Sequence, residues 1–387
     1  MKRSVITLII LTIMLLITTT QNLMPKKTEI TLLKPAIAIG FDREKDNNIN
    51  KESKDLAKAT MLLSDLRDGG ENGGSSNEKF IIYSGIGKTQ SKAIENIQKK
   101  SSKSITASTI GYFLLGEEAV KKDIDFFTDF ISKDNNFRKT ALIYFVKDST
   151  AHDALNVINK MGTVDILKIR GENSGLTAIS SYMKLVEFLQ YYVGDNTSVA
   201  VPTVRITEEG KEKRILPEGY AIVNERKVVG YIEDGMARGY NILKNKEAYS
   251  VIEIPLKEDT LGMILQNSNS KINFEFEKNR LVKIKITANL YSDVQDSSSV
   301  NDIESDEVVK EIQNNQSKVI RDEMINVINL SKKYRSDFLG LGQAMKLQHP
   351  YRWELLKDNW IDILETIPVE VEVFSKLQRT FDMIELR

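Results

Sequence analysis

The sequence predicts a multi-domain protein of mixed α/β and α+β fold, in which a region of alternating strands and helices precedes a region with one long helix. A chain of 387 residues exceeds one typical domain, and 41% hydrophobic residues suffice for buried cores. Apolar runs alternate with amphipathic stretches to about Tyr192, which indicates α/β layering. Apolar residues at helical spacing from Ile303 to Tyr334 then indicate an α+β region.

Four apolar runs in the first half have the length of strands, and three stretches between them have helical periodicity. The predicted strands are Ile30 to Phe41, Lys79 to Ser84, Thr109 to Leu115 and Thr140 to Val146. The predicted helices are Thr89 to Lys100, Glu117 to Ile131 and Thr150 to Asn159, the last with a cap at Asp148 to Thr150. Leu56 to Leu66 fits either a strand or a helix. The polar segments Asp42 to Ser53 and Gly69 to Asn77 are expected to be loops.

The pattern changes between Pro202 and Pro217, where a hairpin and further strands begin. The predicted hairpin joins Tyr220 to Asn224 with Val228 to Glu233, across Glu225 and Arg226. The remaining predicted elements are strands at Tyr249 to Ile254, Ile272 to Phe276, Val282 to Leu290 and Ile367 to Leu377, a long helix or two abutting helices from Ile303 to Tyr334, and a short helical region around Trp353 and Trp360. We therefore expect a domain over residues 28–200 and another over 214–387, which could divide into two subdomains.

The N-terminal residues 1–24 carry the pattern of an export signal or a membrane anchor. Lys2 and Arg3 precede Val5 to Ile17, an apolar run interrupted only by Thr7 and Thr12. Cations before an apolar run stay on the cytoplasmic side of a membrane, so we expect the rest of the chain to lie outside the cytoplasm. The thirteen residues of this run would span about 20 Å as a helix, against about 30 Å of bilayer core. No apolar stretch after Thr20 is long enough to span a membrane. The alternative interpretation of residues 1–24 is a buried N-terminal helix of a cytosolic protein.

The composition excludes several classes of function. Lys and Arg number 54, as do Asp and Glu, so the chain lacks the basic excess typical of nucleic-acid binders. The absence of Cys excludes disulfides, thiol nucleophiles, iron–sulfur clusters and Cys-ligated zinc. His152 and His349 are the two histidines, and each is interpreted as an ordinary surface or core residue. We expect no metal, no cofactor and no nucleic-acid partner.

The segment Gly85 to Thr89 lies between a predicted strand and a predicted helix, where a phosphate-binding loop would lie. Such a loop needs a glycine five residues before Gly87 to curl its backbone around phosphates, and that position is Ile82. We therefore interpret the segment as a strand-to-helix turn with Thr89 as the N-cap. An NTPase built on this segment remains the weaker alternative.

Side chains suited to catalysis do not form a recognisable group. No Gly-x-Ser-x-Gly elbow occurs. The acidic pair Glu117 and Glu118 begins a predicted helix, where the helix dipole favours negative charge. Trp353 and Trp360 lie seven residues apart, and core packing explains them more simply than a ligand clamp. We predict no catalytic residues and no enzymatic activity.

The order of several short segments is similar to a known family. These segments are Glu29-Ile30 with Ala36 to Asp42; Gly87-Lys88-Thr89 with Ala93; Leu114 to Ala119 with Ile124 to Phe127 and Arg138; Gly219 to Val223; Lys227 to Ile232; Tyr334 to Gly342; and Trp353 to Trp360. In this order they resemble the Ger(x)C proteins, the C subunits of bacterial spore germinant receptors. The resemblance covers nearly the whole chain after the N-terminal segment.

The resemblance implies a non-catalytic accessory subunit that acts in nutrient-triggered spore germination. Its expected partners are a membrane-spanning A subunit and a transporter-like B subunit, and the nutrient could be bound by those partners. The expected location is the outer face of the spore inner membrane. Members of the family usually resemble lipoproteins with a Cys before the first strand, whereas this chain has Met24 there and no Cys. Anchoring by Val5 to Ile17 would replace the lipid. The other reading is a solitary exported envelope protein that binds a ligand or acts as a scaffold.

Overall fold

The computed structural model describes residues 32–45, 55–65, 79–164, 167, 180–193, 198–246, 249–257, 259–297 and 305–379. These residues form two β-sheets with helices packed against them. The fold class predicted from the sequence, mixed α/β and α+β, is confirmed. The predicted loop at Gly69 to Asn77, the apolar segment Val5 to Ile17 and Met24 all lie outside the described residues.

The first sheet has nine strands and a parallel centre. Its strands are β1 (Leu33–Lys45), β2 (Asp55–Asp65), β3 (Lys79–Gly87), β4 (Ser104–Thr106), β5 (Tyr112–Leu115), β6 (Leu142–Lys147), β7 (Val199–Glu209), β8 (Glu212–Asn224) and β9 (Lys227–Ile232). Their order is β3-β2-β1-β5-β6-β7-β8-β9, and β4 pairs with β1 outside this path. Strands β1, β5, β6 and β7 run parallel, while β2–β3 and β8–β9 add antiparallel pairs at the two sides.

Helices cover both faces of the first sheet. They are α1 (Gln90–Gln98), α2 (Glu117–Lys122), α3 (Asp125–Lys133), α4 (Ala151–Met161) and α5 (Leu185–Val193). Alternating side chains of the strands supply the two cores: Ile39 and Phe41 of β1 pack with α1, α2, α3 and α5, whereas Ala38 packs with α4. Burial on both faces explains why the central strands read as nearly continuous apolar runs.

In the first half of the chain, the structure corrects some predicted elements and decides the one that the sequence left open. Strand β1 continues through Asp42 to Lys45, where a loop was expected, because it pairs with β2 along that length. The ambiguous stretch Leu56 to Leu66 is a strand as far as Asp65, and Leu66 lies outside the described residues. The single helix predicted from Glu117 to Ile131 is two helices, because Asp123 is extended and its carboxylate accepts the backbone N–H of Asp125. This side-chain hydrogen bond starts α3 anew.

The second sheet is antiparallel except for its last pairing. Its strands are β10 (Ser250–Leu256), β11 (Asp259–Glu277), β12 (Arg280–Ser297) and β13 (Val369–Arg379), in that order. The other helices are α6 (Asp234–Leu243), α7 (Asp306–Lys333), α8 (Leu341–Gln348), α9 (Pro350–Leu356) and α10 (Trp360–Thr366). Helix α7 is the predicted long helix; it is one helix, capped by Ser305 and packed on the sheet through Ile312, Ile320 and Met324.

Strand β8 belongs to the first sheet, but its residues 220–223 alternate between the core of the second sheet and one core of the first sheet. Tyr220 and Ile222 pack with the residues of the second sheet, while Ala221 and Val223 on the opposite face pack with the first core. The predicted hairpin joins β8 to β9 through Glu225 and Arg226, both of which have positive φ. The domain bounds of 28–200 and 214–387 remain a prediction, because pairing within one sheet does not decide which segments fold alone.

Candidate functional site

The segment Gly85 to Thr89 forms a strand end and a helix cap. Gly85 and Gly87 pair with β2 as extended residues of β3, and Thr89 Oγ1 accepts the backbone N–H of Lys92 at 3.2 Å. A Cβ on Gly85 would lie 2.2 Å from the carbonyl oxygen of Ala93, so the glycine lets α1 lie directly on β3. The extended backbone does not curl around an anion. The turn with an N-cap at Thr89 is as the sequence predicts.

The carboxyl ends of the parallel strands are the place where open α/β sheets usually bind ligands. Four residues of this chain mark that edge: Asp42 in β1, Gly116 after β5, Lys147 at the end of β6 and Arg205 in β7. The N-terminus of α4 opens onto the same edge.

The N-terminus of α4 is occupied by a carboxylate of the chain itself. Asp42 accepts the backbone N–H groups of Ala151 at 2.7 Å and His152 at 2.9 Å. Burial raises the pKa of Asp42 to about 6, although these two hydrogen bonds act in the opposite direction. A Cβ at position 116 would lie 1.9 Å from Asp42 Oδ1, so only Gly116 leaves room for the carboxylate. The position where a phosphate could bind is thus filled.

Both histidines have local partners. The ring nitrogens of His152 lie 3.1 Å from Thr60 Oγ1 and 3.0 Å from Asn156 Nδ2. Burial, and secondarily Lys58, lowers the pKa of His152. His349 lies against the rings of Phe274 and Phe276. These environments are those of core and packing residues, and among the residues that the structure describes neither ring is paired with a serine or a carboxylate as a catalytic base would be.

A network of ion pairs joins β6, β8 and β9 at the same edge. Lys147 Nζ donates to Glu218 at 2.8 Å and to Glu233 at 2.7 Å, and Arg205 contacts Glu218 at 3.3 Å. Burial alone would lower the pKa of Lys147, but the two carboxylates outweigh it and raise the pKa. The hydroxyl of Tyr231 donates to Glu117 at 3.0 Å. The cations and carboxylates of this edge therefore neutralise one another within the chain.

A second buried carboxylate organises the turn after α7. Asp337 accepts the backbone N–H groups of Leu341 at 2.8 Å and Gly342 at 2.7 Å, and the indole N–H of Trp360 at 2.9 Å. Burial raises its pKa, against the effect of these hydrogen bonds. A Cβ on Gly342 would lie 2.7 Å from the Trp360 Nε1 and 2.9 Å from the Trp353 ring. The segments Tyr334 to Gly342 and Trp353 to Trp360 thus meet at one carboxylate.

The residues around Asp337 (Tyr334 to Gly342, Trp353 and Trp360) form what we call the Asp337 cluster. This cluster also contacts β8 and β9 of the first sheet and the end of α6. Lys244 of α6 donates to the carbonyl of Leu339 at 2.9 Å, and Asn224 of β8 donates to the carbonyl of Tyr334 at 3.3 Å. Gly230 of β9 lies so close to the ring of Tyr334 that a Cβ there would come within 2.4 Å. The ring centroids of Trp353 and Trp360 are 5.5 Å apart, edge to face, which supports the core role expected for them.

Sequence reasoning missed the roles of Asp42 and Asp337. The signal for Asp337 was local, because glycines at 340 and 342 follow the aspartate and allow a tight turn; Gly340 has φ +73°. Asp42 had no local signal, since its partners lie 109 and 110 residues away. Among the described residues, no three His, Asp or Glu side chains are grouped as metal ligands would be. Nor does that part of the chain contain a helix long and apolar enough to cross a membrane.

Comparison with known proteins finds similar proteins over most of the chain. A family described as "Spore germination protein N-terminal domain" matches residues 26–206, and one described as "Spore germination B3/ GerAC like, C-terminal" matches residues 218–381. Spore germination protein KC of Bacillus subtilis (strain 168) is 22% identical over 389 residues, covering 92% of this chain and 91% of that protein. The crystal structure of the GerBC protein aligns with a TM-score of 0.58 at 15% identity, covering 89% of this chain and 98% of that chain. That structural likeness shows the same fold.

Proposed function

Because the chain belongs to the Ger(x)C family of spore germination proteins, we propose that it is the non-catalytic, membrane-associated C subunit of a germinant receptor. In this role it supports nutrient-triggered germination together with a membrane-spanning A subunit and a transporter-like B subunit. The observation that carries the proposal is the match of both germination domains, in order, to one chain.

The absence of catalysis in this proposal is supported by how the polar groups of the chain are used. The carboxyl edge of the parallel strands holds ion pairs between its own side chains, and Asp42 fills the helix N-terminus there. The Asp337 carboxylate is held by two backbone N–H groups and an indole. Groups bonded in this way stabilise the fold and present no nucleophile with an adjacent base.

The proposed location is the outer face of the spore inner membrane. Val5 to Ile17 would anchor the chain there, with Lys2 and Arg3 on the inner side. We expect no lipid anchor on a cysteine, because this sequence has no Cys and has Met24 where the resemblance to the family implies that residue. Membrane fractionation of the full chain against a chain that starts at Met24 tests the anchor. Soluble full-length protein trimmed near Thr20 would contradict it.

Deletion of the gene and affinity purification test the receptor role. Spores without the protein should lose germination on one class of nutrient, and a plasmid copy should restore it. An affinity tag on the full chain should recover a multi-span permease-like protein and a second large membrane protein from detergent-solubilised spore membranes. Normal germination on every nutrient, or recovery of the chain alone, would contradict the proposal. The second result would favour a solitary envelope protein.

A further inference from the structure

Three large apolar side chains on α8 and α9 point into solvent. Leu347, Tyr351 and Leu355 are 74%, 90% and 67% exposed, whereas the next most exposed large apolar residue among the described ones, Phe374, is 56% exposed. The three lie four residues apart in sequence. Tyr351 and Leu355 share one face of α9, and Leu347 lies in the last turn of α8. We call these three residues the α8–α9 patch.

The opposite side of α8 and α9 packs against the second sheet, and this packing keeps the three side chains exposed. Leu341 and Met345 of α8 are buried in the core of the second sheet. Gln348 donates to the carbonyl of Ile272 at 3.0 Å, and the guanidinium of Arg352 lies 3.9 Å from the centre of the Phe276 ring. These contacts hold the helices against the part of β11 that extends beyond its pairing with β10. The α8–α9 patch therefore cannot turn inward, and none of the described residues covers it.

Cations without ion pairs lie beside the patch. Lys346 and Arg352 are its neighbours in sequence, and Arg352 contacts the carbonyl of Lys278 in the turn that also carries Arg280. Within the described part of the chain, none of these four side chains forms an ion pair. The acid nearest to the patch in sequence, Glu354, is paired with Lys357 at 2.5 Å. The hydrogen bond from Lys357 and, to a smaller extent, the charge of Lys346 lower the pKa of Glu354. An apolar stripe bordered by cations that form no ion pair, with a tyrosine at its centre, is complementary to an anionic lipid surface.

We propose that the α8–α9 patch inserts into the headgroup region of an anionic lipid bilayer. The aliphatic side chains and the Tyr351 ring would enter the boundary between headgroups and acyl chains, while Lys278, Arg280, Lys346 and Arg352 contact lipid phosphates. This inference rests on the proposed membrane association and adds the surface by which the folded part meets the membrane. A protein partner would bury the apolar residues equally well, but the border of unpaired cations favours phosphate groups.

A single fluorescent label on the full chain tests the proposal. Because the chain has no Cys, Tyr351→Cys provides the only attachment point for an environment-sensitive dye. Phe374→Cys is the matched control, since Phe374 is an exposed apolar residue on the second sheet. With phosphatidylglycerol-containing vesicles, the emission at position 351 should shift to the blue and be quenched by nitroxide-labelled lipids. Position 374 should show neither change. Both variants keep Val5 to Ile17, so any binding by that segment is common to both.

Charge reversal separates lipid binding from simple apolar adsorption. Lys278→Glu with Lys346→Glu, in the Tyr351→Cys background, should reduce lipid quenching severalfold, as should purely zwitterionic vesicles. A label at position 351 that stays in water on vesicle-bound protein would overturn the proposal, as would equal quenching at position 374 or a failure to bind vesicles. Shielding at position 351 in spore membranes but not in lipid vesicles would also overturn it, in favour of a protein partner. None of these outcomes depends on germination, so the receptor role is judged separately.

Discussion

The two buried aspartates, Asp42 and Asp337, perform the same physical task in the two halves of the molecule with different means. Each accepts two backbone N–H groups at the start of a helix, and burial raises the pKa of each. Asp337 reaches residues four and five positions away and adds the indole of Trp360, whereas Asp42 reaches residues more than a hundred positions away. A buried carboxylate at a helix start can therefore either close a local turn or hold a distant helix against a strand.

The largest effect should follow removal of the carboxylate with three donors. Asp337→Ala leaves two backbone N–H groups and an indole N–H buried without an acceptor, so we expect a loss of about 3 kcal/mol in the free energy of unfolding. Urea denaturation followed by the fluorescence of Trp353 and Trp360 measures it. Asp337→Asn, which keeps one acceptor oxygen, should lose less. Equal stability of Asp337→Ala and the unchanged protein would show that the cluster does not hold the turn.

Asp42→Ala should lower the free energy of unfolding by about 2 kcal/mol, because it removes the acceptor of two backbone N–H groups at a helix start. The expected loss is smaller than for Asp337→Ala because no indole N–H depends on Asp42. The pH dependence sharpens the comparison. The folded pKa of about 6 lies above the ordinary value of 3.8, so the folded state binds the proton more tightly. The stabilisation from this group is fully present below pH 3.8 and is lost as the pH rises through about 6.

Stability measured at pH 4 and pH 7 checks this sign. The difference in unfolding free energy between the unchanged protein and Asp42→Ala should be larger at pH 4, by on the order of 2 kcal/mol. The protein with Lys88→Ala serves as a control that keeps the wild-type profile. A difference that is larger at pH 7 would mean that Asp42 is ionised more readily in the folded protein than its burial indicates.

Gly116→Ala should show that Asp42 depends on the space beside it. The new Cβ would collide with Asp42 Oδ1, and we expect the substitution to cost about 1 kcal/mol less in the Asp42→Ala background than in the unchanged protein. A double-mutant cycle by chemical denaturation measures this coupling. Additive effects would indicate that the collision is mainly with the backbone of α4, whose Ala151 nitrogen lies 3.1 Å from that Cβ.

The smallest effect is expected at Lys88. This side chain is exposed in the turn before α1, and its removal should change stability by no more than about 0.5 kcal/mol. Spores with Lys88→Ala should germinate normally, since an extended strand end and an N-cap have no role for a phosphate-binding lysine. Normal folding with complete loss of germination would revive a nucleotide-binding role for Gly85 to Thr89.

Elements with a local physical signal were predicted well from the sequence. Thr89 caps α1, Thr150 caps α4, and the pair Glu225 and Arg226 turns the chain between β8 and β9. Each depends on a few neighbouring residues. The apolar spacing of α7 likewise identified a long helix, because its buried side repeats for many turns against the second sheet.

Features that depend on distant partners were not predicted. The extension of β1 beyond Asp42 follows from its pairing with β2, and β11 is far longer than the predicted strand at Ile272 to Phe276 because it pairs with β12 along its length. In the candidate site, the tryptophan packing was expected, but its centre at Asp337 was not. The exposed stripe of the α8–α9 patch has the same helical spacing as a buried one, so its direction could not be read from spacing alone.

Strand β8 packs into the cores of both sheets. Its neighbouring side chains alternate between two cores, with Tyr220 and Ile222 on one side and Ala221 and Val223 on the other. Sliding this strand by one residue would exchange the two sets, placing a tyrosine where an alanine fits. Its register is therefore enforced from both sides at once. A cut between residues 200 and 214 would deprive the core of the first sheet of Ala221 and Val223, whereas the C-terminal fragment would keep Tyr220 and Ile222 but expose the opposite face of β8. The hydrophobic closure of the first half therefore depends on a strand that the second half supplies.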